Sequence, residues 1–178
     1  PTPGGWQVST PKQTYIARNV VFTTGSNPKI WQLLANLGHT IIAPVPSLFT
    51  FHTSTQWTKE LSGIAVNASV RLLNKEGKSL KITETAPLLF THTGFSGPAV
   101  LRASAWGARV LAECNYECLM EVNFTANLTE ALSYDETLSV LQEFKQHNGR
   151  KTMQSFSLFE LPKRLWSALL ENAGIDPE

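Results

Sequence analysis

The chain has 178 residues, with 15 Lys plus Arg against 14 Asp plus Glu, a formal net charge of +1, and 42% hydrophobic against 16% charged side chains. The even charge argues against an electrostatic nucleic-acid binder, the apolar content against disorder, and the 2 cysteines against a disulfide framework or a four-ligand zinc site. A chain of this size buries roughly 70% of its unfolded surface, enough for one domain or two small ones.

The first residues, Pro1-Thr2-Pro3-Gly4-Gly5, include no initiator Met and no charged-then-apolar signal pattern, so the chain reads as an excised piece of a longer protein with a cytoplasmic location. Short extended pieces are predicted over 5–8 and 14–16, and a stronger strand over Asn19-Val20-Val21-Phe22-Thr23. Thr24-Gly25-Ser26-Asn27 breaks it. Pro28 then opens a helix with Ile30, Leu33, Leu34 and Leu37 on one face, and Gly38 stops it. Residues 20–42 therefore read as strand, tight turn, amphipathic helix and strand. The uncharged window 30–58 is interrupted by Gln32, Asn36, His39, Pro44 and Pro46, which excludes a membrane span.

Pro44-Val45-Pro46 marks a domain boundary. Beyond it, strands are expected over 47–51, 63–73, 78–82 and 85–90, with a turn at Asn74-Lys75-Glu76-Gly77, as in a small barrel or sandwich-like sheet. After Gly97-Pro98 a helix runs to about Trp106, capped by Ser96 or Gly97. Further strands are expected over 108–113 and 117–124. The tail is helical, with a capping box at Ser133 and Glu136, a stop near Gly149, and a last helix from about Pro162 to Gly174.

Candidate chemistry is sparse. The turn Thr23-Thr24-Gly25-Ser26 could present backbone amides to a phosphate or flavin edge, or be an ordinary turn with Gly25 at positive φ. Ser96 lies between strand and helix, but Pro98 breaks the G-x-S-x-G pattern and no triad partners accompany it. His92 has no carboxylate neighbour in sequence, and His39 suits a helix end. Cys114 and Cys118, placed on a strand, would be about 13 Å apart and are expected as small packing residues. The Asn-x-Ser/Thr triplets at Asn67, Asn123 and Asn127 are read as chance matches.

Five strings taken together carry a family resemblance: Val20-Val21-Phe22-Thr23-Thr24-Gly25, Leu37-Gly38-His39-Thr40-Ile41, Pro44-Val45-Pro46-Ser47-Leu48, Leu61-Ser62-Gly63, and Leu88-Leu89-Phe90-Thr91-His92-Thr93-Gly94-Phe95-Ser96-Gly97-Pro98-Ala99-Val100-Leu101. From about residue 5 to 175 the chain resembles the NAD(P)/FAD-dependent oxidoreductases of the aminoacetone-oxidase type. In that family an FAD-binding Rossmann-like domain is interrupted by an insert with a β-barrel and a helical part. The resemblance implies an α+β chain: a partial Rossmann-like FAD-binding segment (1–46), a β-rich barrel-like insert (47–128) and the insert's helical part (129–178). It implies that Thr24 and Gly25 match the turn that approaches FAD. Thr23 replaces the usual Ala, Ser26 stands where a second Gly is common, and the following glycine-rich stretch is reduced to Asn27-Pro28. No G-x-G-x-x-G is present, so this chain alone is not expected to hold FAD. For the intact protein the resemblance implies hydride transfer from NAD(P)H through flavin to a small-molecule substrate. It implies as partners the remaining FAD-binding halves of the same chain, with no nucleic acid, no membrane and no metal. The competing reading is a non-enzymatic β-rich module that binds a protein partner through a strand edge or an apolar patch.

Overall fold

The computed structural model describes residues 1–127 and 131–175, which form two compact units, 1–44 and 45–178. In the first unit, β1 (Trp6–Ser9) pairs antiparallel with β2 (Thr14–Ala17), Trp6 opposite Ala17 and Ser9 opposite Thr14. The connecting turn is closed by Thr10, whose hydroxyl donates to the Gln13 carbonyl at 2.8 Å. Helix α1 (Pro28–Asn36) starts where Asn27 caps it, the Asn27 side chain accepting from the Lys29 amide at 3.0 Å. It ends at Gly38, φ +93°, in a Schellman closure: the Gly38 amide donates to the Ala35 carbonyl and the His39 amide to that of Leu34.

The strands expected over 19–23 and up to Ile42 do not form. A strand needs a ladder partner, and within 1–44 the only ladder is the hairpin's own. Val21 (81%) and Ile42 (71%) remain exposed, so apolar, β-branched composition without a partner was insufficient.

The second unit is a mixed α+β domain built on a curled half-barrel sheet of five antiparallel strands in the order β3-β6-β5-β4-β7. These are β3 (Phe51–His52), β4 (Ala65–Leu73), β5 (Ser79–Thr91), β6 (Gly94–Ser96) and β7 (Leu119–Asn123). Strict alternation in β4 puts Val66, Ala68, Val70 and Leu72 inside, and Ile82, Ala86, Leu88 and Phe90 of β5 join them. Two separate strands were expected over 78–82 and 85–90. One strand forms because β4 supplies a continuous ladder, pairing Arg71 with Thr83 and Val70 with Glu84 across the polar stretch. Of the strand expected over 47–51, only Phe51 is paired.

Helix α2 (Pro98–Trp106) begins after Gly97, as expected, and lays Ala99, Val100, Ala103 and Ser104 against the sheet. Residues 108–113 form helix α3 (Ala108–Glu113) rather than a strand. Ala, Leu, Arg and Glu are good helix formers, and Ala108 and Leu111 bury one face at i and i+3. Cys114 therefore caps a helix, and the strand spacing assumed for Cys114 and Cys118 does not apply; both thiols are free. The expected boundary between 128 and 129, and part of the triplet at Asn127, lie outside the described residues. The amide groups of Asn123 and Asn127 are engaged internally, Asn123 donating to the Leu132 carbonyl at 2.8 Å and Asn127 to that of Phe159 at 3.2 Å.

Helices α4 (Tyr134–His147) and α5 (Lys163–Asn172) form the helical part. Leu165, Trp166 and Leu170 of α5, with Leu161 before it, enter the same core as the sheet. The capping box on α4 is complete: the Glu136 amide donates to Ser133 Oγ at 3.3 Å, while the Ser133 amide and hydroxyl both donate to Glu136 Oε2 at 2.7 Å. These bonds hold the Glu136 carboxyl below its ordinary pKa. A depressed folded-state value means stabilisation present above the ordinary carboxylate range and lost as pH falls through the lowered one. Replacing Ser133 with Ala is expected to cost about 1 kcal/mol near neutral pH. The gap from wild type should narrow on acidification, as read by denaturant unfolding at two pH values.

Among the described residues no helix is long and apolar enough to cross a membrane.

A candidate binding cavity in the half-barrel

The sheet leaves two edges, β3 and β7, and a cavity of about 950 Å³ lies between them. Its walls come from the segment around β3, from β5 and β6, from the run Tyr116 to Phe124, and from Leu169 of α5. The sequence loads these walls with aromatics. Phe49 sits 5.8 Å from both Phe51 and Tyr116, and Phe90 sits 5.3 Å from Phe95 and stacks on Phe124 at 6.2 Å. Trp57 completes the set.

The wall at residues 49–58 is tied down by backbone and hydroxyl bonds. Phe49 donates its amide to Ser104 Oγ at 3.0 Å, and Ser104 donates in turn to the Leu101 carbonyl at 2.9 Å. Thr53 donates its amide to the Thr93 carbonyl at 3.0 Å, and the buried Thr58 hydroxyl donates to the Thr55 carbonyl at 2.8 Å. On the opposite wall, Asn115 and Tyr116 both adopt positive φ, at 52° and 60°. The Asn115 amide donates to the Ala112 carbonyl and that of Tyr116 to Leu111, a Schellman closure of α3 in which Asn replaces Gly. That closure swings Tyr116 towards Phe49.

Four titratable side chains line the cavity: His52, Tyr116, Glu117 and Cys118. Glu117 is ion-paired to Lys75, and their mutual hydrogen bond and charge lower the carboxyl and raise the ammonium. Burial, with Cys114 close by, pushes the Cys118 thiol up. It is therefore kept neutral, and neither group is poised for proton transfer at neutral pH. Apolar, aromatic walls with hydroxyls at one side suit a planar ligand held by stacking.

The residues singled out in sequence lie elsewhere. Thr24 and Gly25 sit in the first unit, ahead of α1, where Gly25 lines a separate hollow of about 400 Å³ with Trp31, Ile41 and Pro44. The first-turn donors of α1 are already used: Pro28 has none, Lys29 donates to the Asn27 side chain, and Ile30 and Trp31 donate to the Asn27 carbonyl. Among the described residues no hydrogen bond reaches the Thr24 or Gly25 amide. Gly25 has φ +60°, and no other atom lies within 4 Å of where a Cβ would be. The helix end behind this turn adds no free donor.

His92 is at the tip of the β5–β6 hairpin, exposed, and Ser96 is a strand residue of β6. Gly94 and Gly97 instead let the chain pass close to its neighbours. Among the described residues no group of three or more His, Cys, Asp or Glu could hold a metal. The cavity itself went unread in the sequence, although the density of Phe, Trp and Thr over 49–58 was a usable signal.

A family model described as the HI0933-like protein barrel and H2TH domain matches residues 45–178. The chain is also similar to the ribosomal RNA dihydrouridine synthase of Haemophilus influenzae, 27% identical over 156 residues that cover 86% of this chain and 34% of that protein. The chain thus spans about a third of the length of that curated relative.

Proposed function

The chain belongs to the HI0933-like barrel and H2TH domain family, and from that premise we propose that it is the barrel-and-helix portion of a flavin-dependent oxidoreductase whose cavity receives the substrate ring. The observation that carries this reading is the aromatic cavity, about 950 Å³, whose acid is paired and whose thiol is kept neutral. Such a pocket positions a planar group and leaves redox chemistry to a cofactor. FAD, reduced by NAD(P)H, would supply the hydride. On this chain the Thr24 and Gly25 amides would contact it, and the remaining FAD-binding segments would complete its site. The resemblance to aminoacetone-oxidase-type flavoproteins supports the same cofactor, and the free cysteines suit a cytoplasmic enzyme.

The relative's name supplies a substrate class that the even charge balance had argued against: a uridine within ribosomal RNA. We adopt it in place of a small molecule. Reduction adds a hydride and a proton across the uracil C5=C6 bond, and NAD(P)H leaves as NAD(P)⁺. A base leaving its stack is planar, and Phe49, Trp57 and Tyr116 offer it faces to stack on.

Flavin content and turnover test this. The natural protein that carries this chain should purify yellow, release FAD on denaturation, and oxidise NADPH or NADH with formation of dihydrouridine in ribosomal RNA. The 178-residue chain alone should stay colourless after incubation with FAD. A natural protein without flavin would overturn the proposal.

A further inference from the structure

We propose that the segment joining α4 to α5, with the helix ends on either side of it, is a contact surface for RNA phosphates, formed by Lys145, Arg150, Lys151, Lys163 and Arg164. The inference rests on the RNA substrate proposed above. The chain's charges balance overall but not locally: residues 145–164 hold these five cations and His147 against one acid, Glu160. All five are exposed. The ion pairs among the described residues, Arg71–Glu121 and Lys75–Glu117, lie elsewhere.

A run of cations is usually a solvated face. Two features set this one apart. First, only Lys145 and His147 are placed where a helix dipole welcomes positive charge, in the last turn of α4. Lys163 and Arg164 occupy the first turn of α5, which holds no acid, where the dipole disfavours them; their position does not serve the helix. Second, the connection is braced. The Lys151 ammonium lies 4.6 Å over the Phe156 ring, which meets Phe144 edge-on at 5.2 Å, next to Lys145. Trp166 Nε1 donates to the Met153 carbonyl at 2.8 Å, fastening the start of α5 to the segment just past Lys151. The Ser157 hydroxyl donates to the Leu161 carbonyl across the same stretch.

Five exposed cations on a braced connection and the two helix ends that flank it match a phosphate backbone. Phe144, Phe156 and Trp166, the rings of this connection, are at least half-buried and turned to its own packing, so the contact would orient RNA without reading its sequence.

The test uses the natural full-length protein and a fluorescein-labelled RNA hairpin with uridine in its loop, read by anisotropy at several salt concentrations. The fourfold variant Arg150→Gln, Lys151→Gln, Lys163→Gln, Arg164→Gln should bind at least about tenfold more weakly near physiological salt. Each lost phosphate contact should lower the salt slope by about 0.7–0.9. A variant with Lys151→Arg and Lys163→Arg should bind as wild type. Unchanged RNA affinity in a fourfold variant that melts like wild type would overturn the proposal. So would vesicles containing phosphatidylglycerol losing affinity while RNA does not, since the surface would then be a lipid contact. If the anisotropy effect appears but no dihydrouridine forms, the phosphate surface stands and the proposed reaction fails.

Discussion

Replacing Phe90 with alanine should destabilise the second unit by about 3–5 kcal/mol, the range for removing a fully buried ring. Phe90 is 1% exposed, in contact with Phe95 and stacked on Phe124, and its backbone bonds Gly63 and Ile64 on the strand's flank. The site cannot collapse readily. Phe90 itself is fixed in β5 and Phe95 in β6, and Phe90 lines the cavity, so the lost ring leaves a void continuous with it. For a unit of this size the melting temperature should fall by on the order of 10 °C. Phe90→Leu should recover more than half of that loss, because most of the apolar volume returns. Calorimetry on the 178-residue chain decides it. A drop in melting temperature no larger than for a surface substitution would show that Phe90 is not at the core.

The contrast between strand β4 and the residues before Pro28 shows what a sequence states on its own. In β4 the alternation of Val66, Ala68, Val70 and Leu72 is a local pattern that needs only a partner of the same pattern, and β5 supplies it. Helix ends were equally legible, because Ser133 with Glu136, Gly38 and Gly174 act through bonds a few residues long. Residues 19–23 carry the same β-branched composition and do not pair, because strand formation depends on a partner elsewhere in the chain. Residues 108–113 differ in the other direction: a strand was expected there, while burial of Ala108 and Leu111 on one face at i and i+3 selects a helix. The cavity was the least legible feature. Its walls are assembled from 46–58, 90–95, 116–124 and residue 169, and no window of sequence contains them. Thr24 and Gly25 could be read as a turn, and the helix closure behind it could be read from Asn27, whose side chain accepts from the Lys29 amide.

Gly94→Ala is expected to cost about 3 kcal/mol, at the upper end of what backbone strain alone produces. The position has φ +151°, and a Cβ there would overlap the Phe51 carbonyl oxygen and lie 2.9 Å from His52 Cα. Both obstacles are backbone, so no side-chain rotation relieves them. Gly94 pairs with His52 and Phe95 with Phe51, and these two pairs are the whole of the β3 ladder. The least costly relief is for β3 to leave the sheet, taking Phe51, His52 and Thr53 from the cavity wall and breaking the bond from the Thr53 amide to the Thr93 carbonyl. Stability and cavity shape should therefore fail together: the melting temperature drops, and the Thr53 amide loses protection in hydrogen exchange. Gly77→Ala is the matched control. It also has positive φ, +80°, in the β4–β5 turn, with no other atom within 4 Å of a Cβ, so it should cost only about 1 kcal/mol and leave Thr53 protected. Equal costs for the two substitutions, with Thr53 protected in both, would mean that β3 is not held against Gly94 and that the cavity lacks that wall.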